Sequence, residues 1–277
     1  MSNKKQIKLP KNKTKIICTI GPSSKKTNIL EKMIDEGMGI ARLNFSHGSL
    51  KEHNNLITNI RKASKEKKTN IPILADLPGA KIRIGKLEND KVFLEKGQTL
   101  TLTTKKVIGT KNMIPVNYKK LTKSVEKGST IYLNDGYIKL KVIDEKEDEV
   151  KCKVQMGGTL YSHKGINIPK EKIFINPVTK KDLDIVDFAL EKDIDIFCVS
   201  FVENSDNILK VKKYAKKKGK NVFIIAKIER DEAIKNFDEL LKVADGIMIA
   251  RGDLGIQIPI ENIPTIQKSL IRKANIA

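Results

Sequence analysis

Residues 221–255 read NVFIIAKIERDEAIKNFDELLKVADGIMIARGDLG, and this stretch decides the fold. Two short apolar runs, Val222–Ile225 and Ile247–Ala250, flank a segment in which Ala233, Phe237, Leu240 and Leu241 recur at helical spacing. A strand, a helix and a second strand of these lengths suit a right-handed parallel crossover. Charged residues stand where each strand runs out. Lys227 and Glu229 are two apart, so an extended chain points both to one face. Asp253 follows the second strand in a Gly-bracketed turn, Arg251-Gly252-Asp253-Leu254-Gly255. One cation and two carboxylates at the C-terminal ends of neighbouring parallel strands have the layout of an active site at the top of an α/β barrel.

The same alternation runs through the rest of the chain, with one interruption. Lys15–Ile20 reads as a first strand, followed by a helix over about Thr27–Glu36 that Gly37-Met38-Gly39 ends. Ile40–Asn44 is a second strand, closed by the polar turn Phe45-Ser46-His47-Gly48, and a helix follows to about Lys67. Ile71–Asp76 is a third strand, leading into Leu77-Pro78-Gly79. This βαβαβ order begins a parallel sheet or barrel. Residues 80–170 then alternate with period two (KVFL, TLTLTT, STIYLN, YIKLKVI, VKCKVQM) between Gly-containing turns and show no helical spacing. They predict an antiparallel β domain of short strands. Helical alternation resumes with Lys180–Lys192, a fourth strand Ile194–Phe201, a helix Asp206–Lys218, the opening unit and a last helix over about Ile263–Ala274. The total is six strand–helix units with a β domain inserted after the third strand, and its hinges are expected near Pro78-Gly79 and Ile168-Pro169.

Composition narrows the function. Net charge is +21, but it comes from 48 Lys against six Arg spread along the chain. Nucleic-acid recognition favours Arg forks in clustered patches, so nucleic acid is excluded as a partner. No apolar run approaches bilayer length, and the basic N-terminal arm over residues 1–13 precedes no apolar segment. The expectation is a cytoplasmic protein without membrane association. Cys18, Cys152 and Cys198 read as reduced, buried thiols, and neither they nor His47, His53 and His163 have metal-ligand spacing.

Five stretches, in this order, resemble the pyruvate kinase family: KIICTIGPSS (15–24), ARLNFSHG (41–48), DLPGAKIR (76–83), IAKIE (225–229) and IARGDLG (249–255). The resemblance covers residues 13–277. It implies a TIM (β/α)8-type barrel, incomplete at six βα units, with an inserted antiparallel β-barrel lid. Residues 1–78 and 171–277 would form the barrel domain and residues 79–170 the lid. The implied reaction is phosphoryl transfer from phosphoenolpyruvate to ADP, giving pyruvate and ATP with Mg²⁺. Glu229 and Asp253 match the family's Mg²⁺ carboxylates, and Lys227 matches the lysine that neutralises the transferring phosphoryl group. Arg42 and Arg83 match phosphate-clamping arginines. Backbone amides of Arg251, Gly252 and Asp253 match the cradle for the substrate carboxylate, and Ser200 matches a residue lining the site. His47, Asp135 and Lys181 match nucleotide-side contacts, beside Arg42 and Arg83. Asn44, Ser46, Asp76 and the Leu77 carbonyl match a monovalent-cation (K⁺) site. Taken singly, these residues have ordinary explanations: Asp253 as a helix cap, Asp135 as hairpin-turn chemistry, Lys81 and Lys181 as solvated lysines. The motifs in order carry the reading.

Three positions depart from the family. Leu77 stands for the commoner Thr, Gln257 for a common Glu, and Lys81 for a Glu. Within the family a Lys at that place goes with activity that needs no K⁺. Six units cannot close an eight-unit barrel, so strands one and six are expected as apolar edges, and the chain by itself is expected to lack appreciable activity. Full-length family members form homo-oligomers. The alternative function is a non-catalytic remnant that binds nucleotide or a complementary chain.

Overall fold

The computed structural model describes residues 14–169 and 171–277, so the basic arm expected over residues 1–13 lies outside it. The first five elements are β1 (Ile16–Thr19), α1 (Thr27–Asp35), β2 (Met38–Asn44), α2 (Leu50–Glu66) and β3 (Ile73–Asp76). Gly37, at φ +105°, takes the left-handed step that ends α1 and lets buried Met38 open β2 two residues earlier than the apolar run suggested. A capping box starts α2: Glu52 N donates to Ser49 Oγ at 3.3 Å and Ser49 N donates to Glu52 Oε2 at 2.7 Å. His53, Ile57, Ile60 and Ala63 form its buried stripe. All four residues of β3 are buried, as in a strand covered on both faces.

The inserted segment follows as β4 (Lys91–Leu94), β5 (Thr99–Thr103), β6 (Met113–Pro115), β7 (Thr130–Leu133), β8 (Ile138–Lys146), β9 (Glu149–Met156), β10 (Gly158–Tyr161) and β11 (Ile166–Asn167). These make a two-stranded sheet, β10-β4, and a six-stranded sheet ordered β11-β7-β8-β9-β5-β6. Period two in sequence becomes burial: Leu100, Leu102, Ile131, Leu133, Leu140, Val150, Cys152 and Val154 alternate inward into one apolar cluster. The segment departs from expectation in two respects. β5 and β6 pair in parallel, because residues 104–112 cross back before the chain re-enters the sheet. A 3₁₀ turn, Glu88–Asp90, precedes β4.

After the insert come α3 (Lys180–Glu191), β12 (Ile196–Val199), α4 (Ser205–Lys217), β13 (Phe223–Ile228), α5 (Asp231–Lys235), α6 (Phe237–Leu241), β14 (Gly246–Ile249), α7 (Arg251–Gln257) and α8 (Ile263–Ile276). The single helix expected after β13 is split at Asn236, whose side-chain Nδ2 donates to the Glu203 carbonyl at 2.7 Å instead of facing solvent. The Gly-bracketed turn expected over 251–255 is the body of α7. Fully buried Leu254 anchors it, and Asp253 in its first turn suits the positive helix end.

Strand order in the remaining sheet is β1-β2-β3-β12-β13-β14, and β1, β2, β3 and β12 pair in parallel. This is the singly wound sheet of a TIM-type fold. β3 and β12 are neighbours (Leu74 opposite Ile196, Asp76 opposite Cys198), so the long insertion between them leaves the sheet unbroken. No insert strand joins it among the described residues. β1 and β14 end the order, and Ile16 and Ile17 of β1 are exposed. By compactness the chain divides into two units. One takes residues up to Pro78, Lys180–Val199 and Lys210–Ile225; the other takes Gly79–Thr179, Ser200–Leu209 and Ala226–Ala277. No helix among the described residues is long and apolar enough to cross a membrane.

All three cysteines are free, but only Cys152 and Cys198 are buried, and Cys18 is partly exposed, against expectation. Burial pushes the Cys152 thiol from 9.0 up to about 12. A thiolate-directed reagent at mildly alkaline pH should therefore modify Cys18 in the native chain and reach Cys152 and Cys198 only after denaturation. Mass spectrometry of the labelled peptides checks this, and rapid native labelling of Cys152 would contradict the packing of the insert.

Candidate active site

Lys227 is the single lysine of β13, and its side chain turns into the protein. Its Nζ lies 2.9 Å from Glu229 Oε1 and donates to Ser200 Oγ, also at 2.9 Å. The Glu229 side chain is only 1% exposed. Its other oxygen, Oε2, accepts the backbone N–H of Phe201 at 2.7 Å. The Glu229 carboxyl is held above its ordinary 4.5, foremost by burial; the Lys227 ammonium opposes the rise, the Asp253 carboxylate adds to it, and the Phe201 amide opposes it. Two residues apart at a strand end, this pair would usually lie on the surface; here it is buried.

Phe201 reaches Glu229 through an uncommon backbone. Its φ is +55°, a left-handed conformation that is costly for a bulky residue. Several contacts hold it there. Gly79 (φ +64°) leaves room: a Cβ at that position would lie 3.0 Å from Phe201 Cδ2 and 3.1 Å from Ser200 Cβ. Asn207 Oδ1 accepts from Glu203 N at 2.8 Å, and Arg230 Nη1 donates to Glu203 Oε1 at 2.5 Å.

Asp253 sits in the first turn of α7, where Leu254 N makes the first bond of the turn, to the Ala250 carbonyl at 3.0 Å. The preceding amides, of Arg251, Gly252 and Asp253, therefore stand ahead of the helical ladder. Lys81 Nζ donates to Asp253 Oδ1 at 3.0 Å and is 3.6 Å from Asp135 Oδ1. Arg83 is engaged elsewhere in the insert: its Nη1 donates to the His163 carbonyl at 3.0 Å and its backbone N–H donates to Asn117 Oδ1.

In the other compact unit, Arg42 of β2 forks onto buried Asp76 at the end of β3. Its Nε donates to Asp76 Oδ2 at 2.9 Å, Nη2 reaches the same oxygen, and Nη1 donates to Thr19 Oγ1 at 2.6 Å. Asn44 Oδ1 accepts from Ser46 N at 3.0 Å, and Leu77 N donates to the Cys198 carbonyl at 3.0 Å. His47 is exposed, and its carbonyl lies 2.8 Å from Nε2 of His53 in α2. Buried His53 stacks on Phe45 at 4.0 Å between ring centroids, which fixes the 45–48 turn against the helix. Lys181 is exposed in the first turn of α3.

Each compact unit thus brings together part of the expected set: Lys227, Glu229, Ser200, Asp253, Lys81 and Asp135 in one, and Arg42, Asn44, Ser46, Asp76 and Leu77 in the other. Among the described residues, no three or more His, Cys, Asp or Glu side chains converge. Glu229 and Asp253 could hold a metal, since two carboxylate donors fit a hard cation that completes its shell with water and substrate. Sequence reasoning missed Phe201, Thr19, His53 and the Arg230–Glu203 pair. Arg230 alone carried a signal, a cation directly following Glu229.

Comparisons with known proteins agree with the fold. Residues 11–277 match the family profile described as pyruvate kinase, barrel domain. A pyruvate kinase of Thermococcus litoralis is 51% identical over 271 residues, covering 98% of this chain and 57% of that protein. Pyruvate kinases of Thermotoga maritima (42% identical, 94% of this chain, 56% of that protein) and Staphylococcus saprophyticus (44%, 95% and 45%) are also similar. The chain spans about half the length of the curated relatives it matches.

His53 generates a pH prediction. Burial lowers its pKa from the ordinary 6.5, with the His47 carbonyl and Glu52 opposing. The unfolded chain takes up the proton first. The contribution of His53 to stability is therefore complete above pH 6.5 and is lost as pH falls through the lowered native value. Urea melts of the His53→Phe variant should show a shallower loss of stability below pH 6.5 than the parent. An unchanged slope would contradict this.

Proposed function

The chain belongs to the pyruvate kinase family, and from that premise we propose that its residues serve phosphoryl transfer from phosphoenolpyruvate to ADP, giving pyruvate and ATP. The observation that carries this reading is the Lys227 ammonium, fixed between Glu229 and Ser200 in a nearly dry site. Phosphoryl transfer is mostly positioning and neutralisation of charge on the moving group. An ammonium excluded from water acts on such charge far more strongly than a solvated one, and here it needs no reorganisation.

Other roles follow from residue chemistry. Glu229 and Asp253 would hold Mg²⁺, which when bound supplies a doubly charged Lewis acid for phosphoryl oxygens. Amides of Arg251, Gly252 and Asp253 would cradle the substrate carboxylate. Arg42, oriented by Asp76, and Arg83, oriented by the His163 carbonyl, would present remaining N–H donors to phosphate. His47, Asp135 and Lys181 would face the nucleotide. Asn44, Ser46, Asp76 and the Leu77 carbonyl would hold a monovalent cation, and Lys81 is read as a mark of activity that needs no K⁺. Residues 79–170 are read as a lid domain inserted in a barrel domain of residues 1–78 and 171–277; their separate sheets and apolar cluster support this.

The test joins the 277-residue segment to the remaining segment of the Thermococcus litoralis relative and measures pyruvate formed from phosphoenolpyruvate and ADP. Lys227→Met should lower turnover by roughly 1,000-fold, as loss of a preorganised transition-state charge does. Mn²⁺ binding should be retained and no weaker than in the parent, since an ammonium is no metal ligand and its removal frees Glu229 Oε1. A variant keeping more than about a tenth of the parent rate would remove Lys227 from the chemistry.

A further inference from the structure

Lys81 stands between two carboxylates carried by different elements. It hydrogen-bonds Asp253 of α7, while Asp135 lies at ion-pair distance, 3.6 Å, and is also paired with Lys164 at 3.9 Å. Asp135 is on the β7–β8 hairpin turn Asn134-Asp135-Gly136, whose residues have φ of +50°, +54° and +92°. Gly136 abuts α7: a Cβ there would be 3.4 Å from Ile256 Cγ1. Gly165 clears the path of the lysine stem, since a Cβ at that position would meet Lys81 Cε at 2.6 Å. The hairpin tip and the helix bearing Asp253 are therefore adjacent, and one flexible ammonium has an acceptor on each.

We propose that Lys81 and a divalent cation compete for Asp253, and that arrival of the cation transfers the Lys81 ammonium to Asp135. The inference rests on Glu229 and Asp253 being the metal carboxylates. A doubly charged ion on Asp253 withdraws the acceptor's charge and sets two positive centres at contact distance. Lys81 then moves, and a rotamer change of its own stem suffices because Asp135 is already within reach. Lys227 has no such exit, being held by Glu229 and Ser200. Metal occupancy in this way ties down the 134–136 turn of the insert. Lys81 thus positions the hairpin according to metal occupancy and is not itself a ligand.

The two partners of Lys81 then act on metal affinity with opposite sign. Titration of the 277-residue chain with Mn²⁺, read as free Mn²⁺ by electron paramagnetic resonance, measures this without turnover. Lys81→Met should tighten binding by roughly tenfold, the equivalent of one close charge pair. Asp135→Asn should weaken it by about threefold in the parent and have no effect beside Lys81→Met. Lys81→Gln repeats the first arm should the Met variant misfold, with circular dichroism as the control. Unchanged or weaker binding on loss of Lys81 overturns the competition. Equal weakening by Asp135→Asn with and without Lys81 indicates through-space attraction only and overturns the transfer. Asp253→Asn separates the premise: unchanged Mn²⁺ affinity removes the metal assignment and the exchange with it, whereas weakened binding that loss of Lys81 does not relieve in the parent overturns the exchange alone.

Discussion

A buried ammonium and a buried carboxylate cannot both be kept charged unless each satisfies the other, and the Lys227–Glu229 pair imposes that condition on its surroundings. Ser200 completes one side of the pair and the Phe201 amide the other. Phe201 can present that amide only from a left-handed backbone, which in turn requires Gly79 to leave room and the Glu203–Arg230 and Asn207 contacts to hold the following loop. Residues with no evident part in chemistry are thus constrained by one ion pair. Removing either charge would leave the other stranded away from water.

Much of this was legible in the sequence. Buried parallel strands read as short apolar runs, and Lys227, Glu229 and Asp253 mark strand ends because nothing in packing asks for charge there. The insert was legible through its period-two pattern, which became burial in β8 and β9. What stayed hidden depended on partners distant in sequence. α7 forms although two glycines weaken it, because Leu254 is buried. The helix after β13 breaks at Asn236 because a carbonyl more than thirty residues away takes its amide. The parallel pairing of β5 with β6 and the left-handed Phe201 have no local signal, since neither is a preference of the residues themselves.

Charge is divided by type in a way that bulk composition concealed. Four of the six arginines use their forks inside the structure: Arg42 on Asp76, Arg61 on the Lys192 carbonyl, Arg83 on the His163 carbonyl and Arg230 on Glu203. Planar, always-charged guanidinium suits such fixed partners. The lysines supply the net charge of +21, yet two of them, Lys81 and Lys227, are drawn off the surface onto acidic partners. These two differ in freedom: Lys227 is locked, whereas Lys81 has a second acceptor within reach. That difference assigns them different work, one a fixed charge and the other a movable one.

Lys227 and Glu229 exist as one buried, mutually dependent pair. A double-mutant cycle on the stability of the chain, with Lys227→Met, Glu229→Gln and both together followed in urea unfolding, measures that dependence. Each single change should cost about 3 kcal/mol or more by stranding a charge, and the double variant should be more stable than either single one. Costs that simply add would contradict the account.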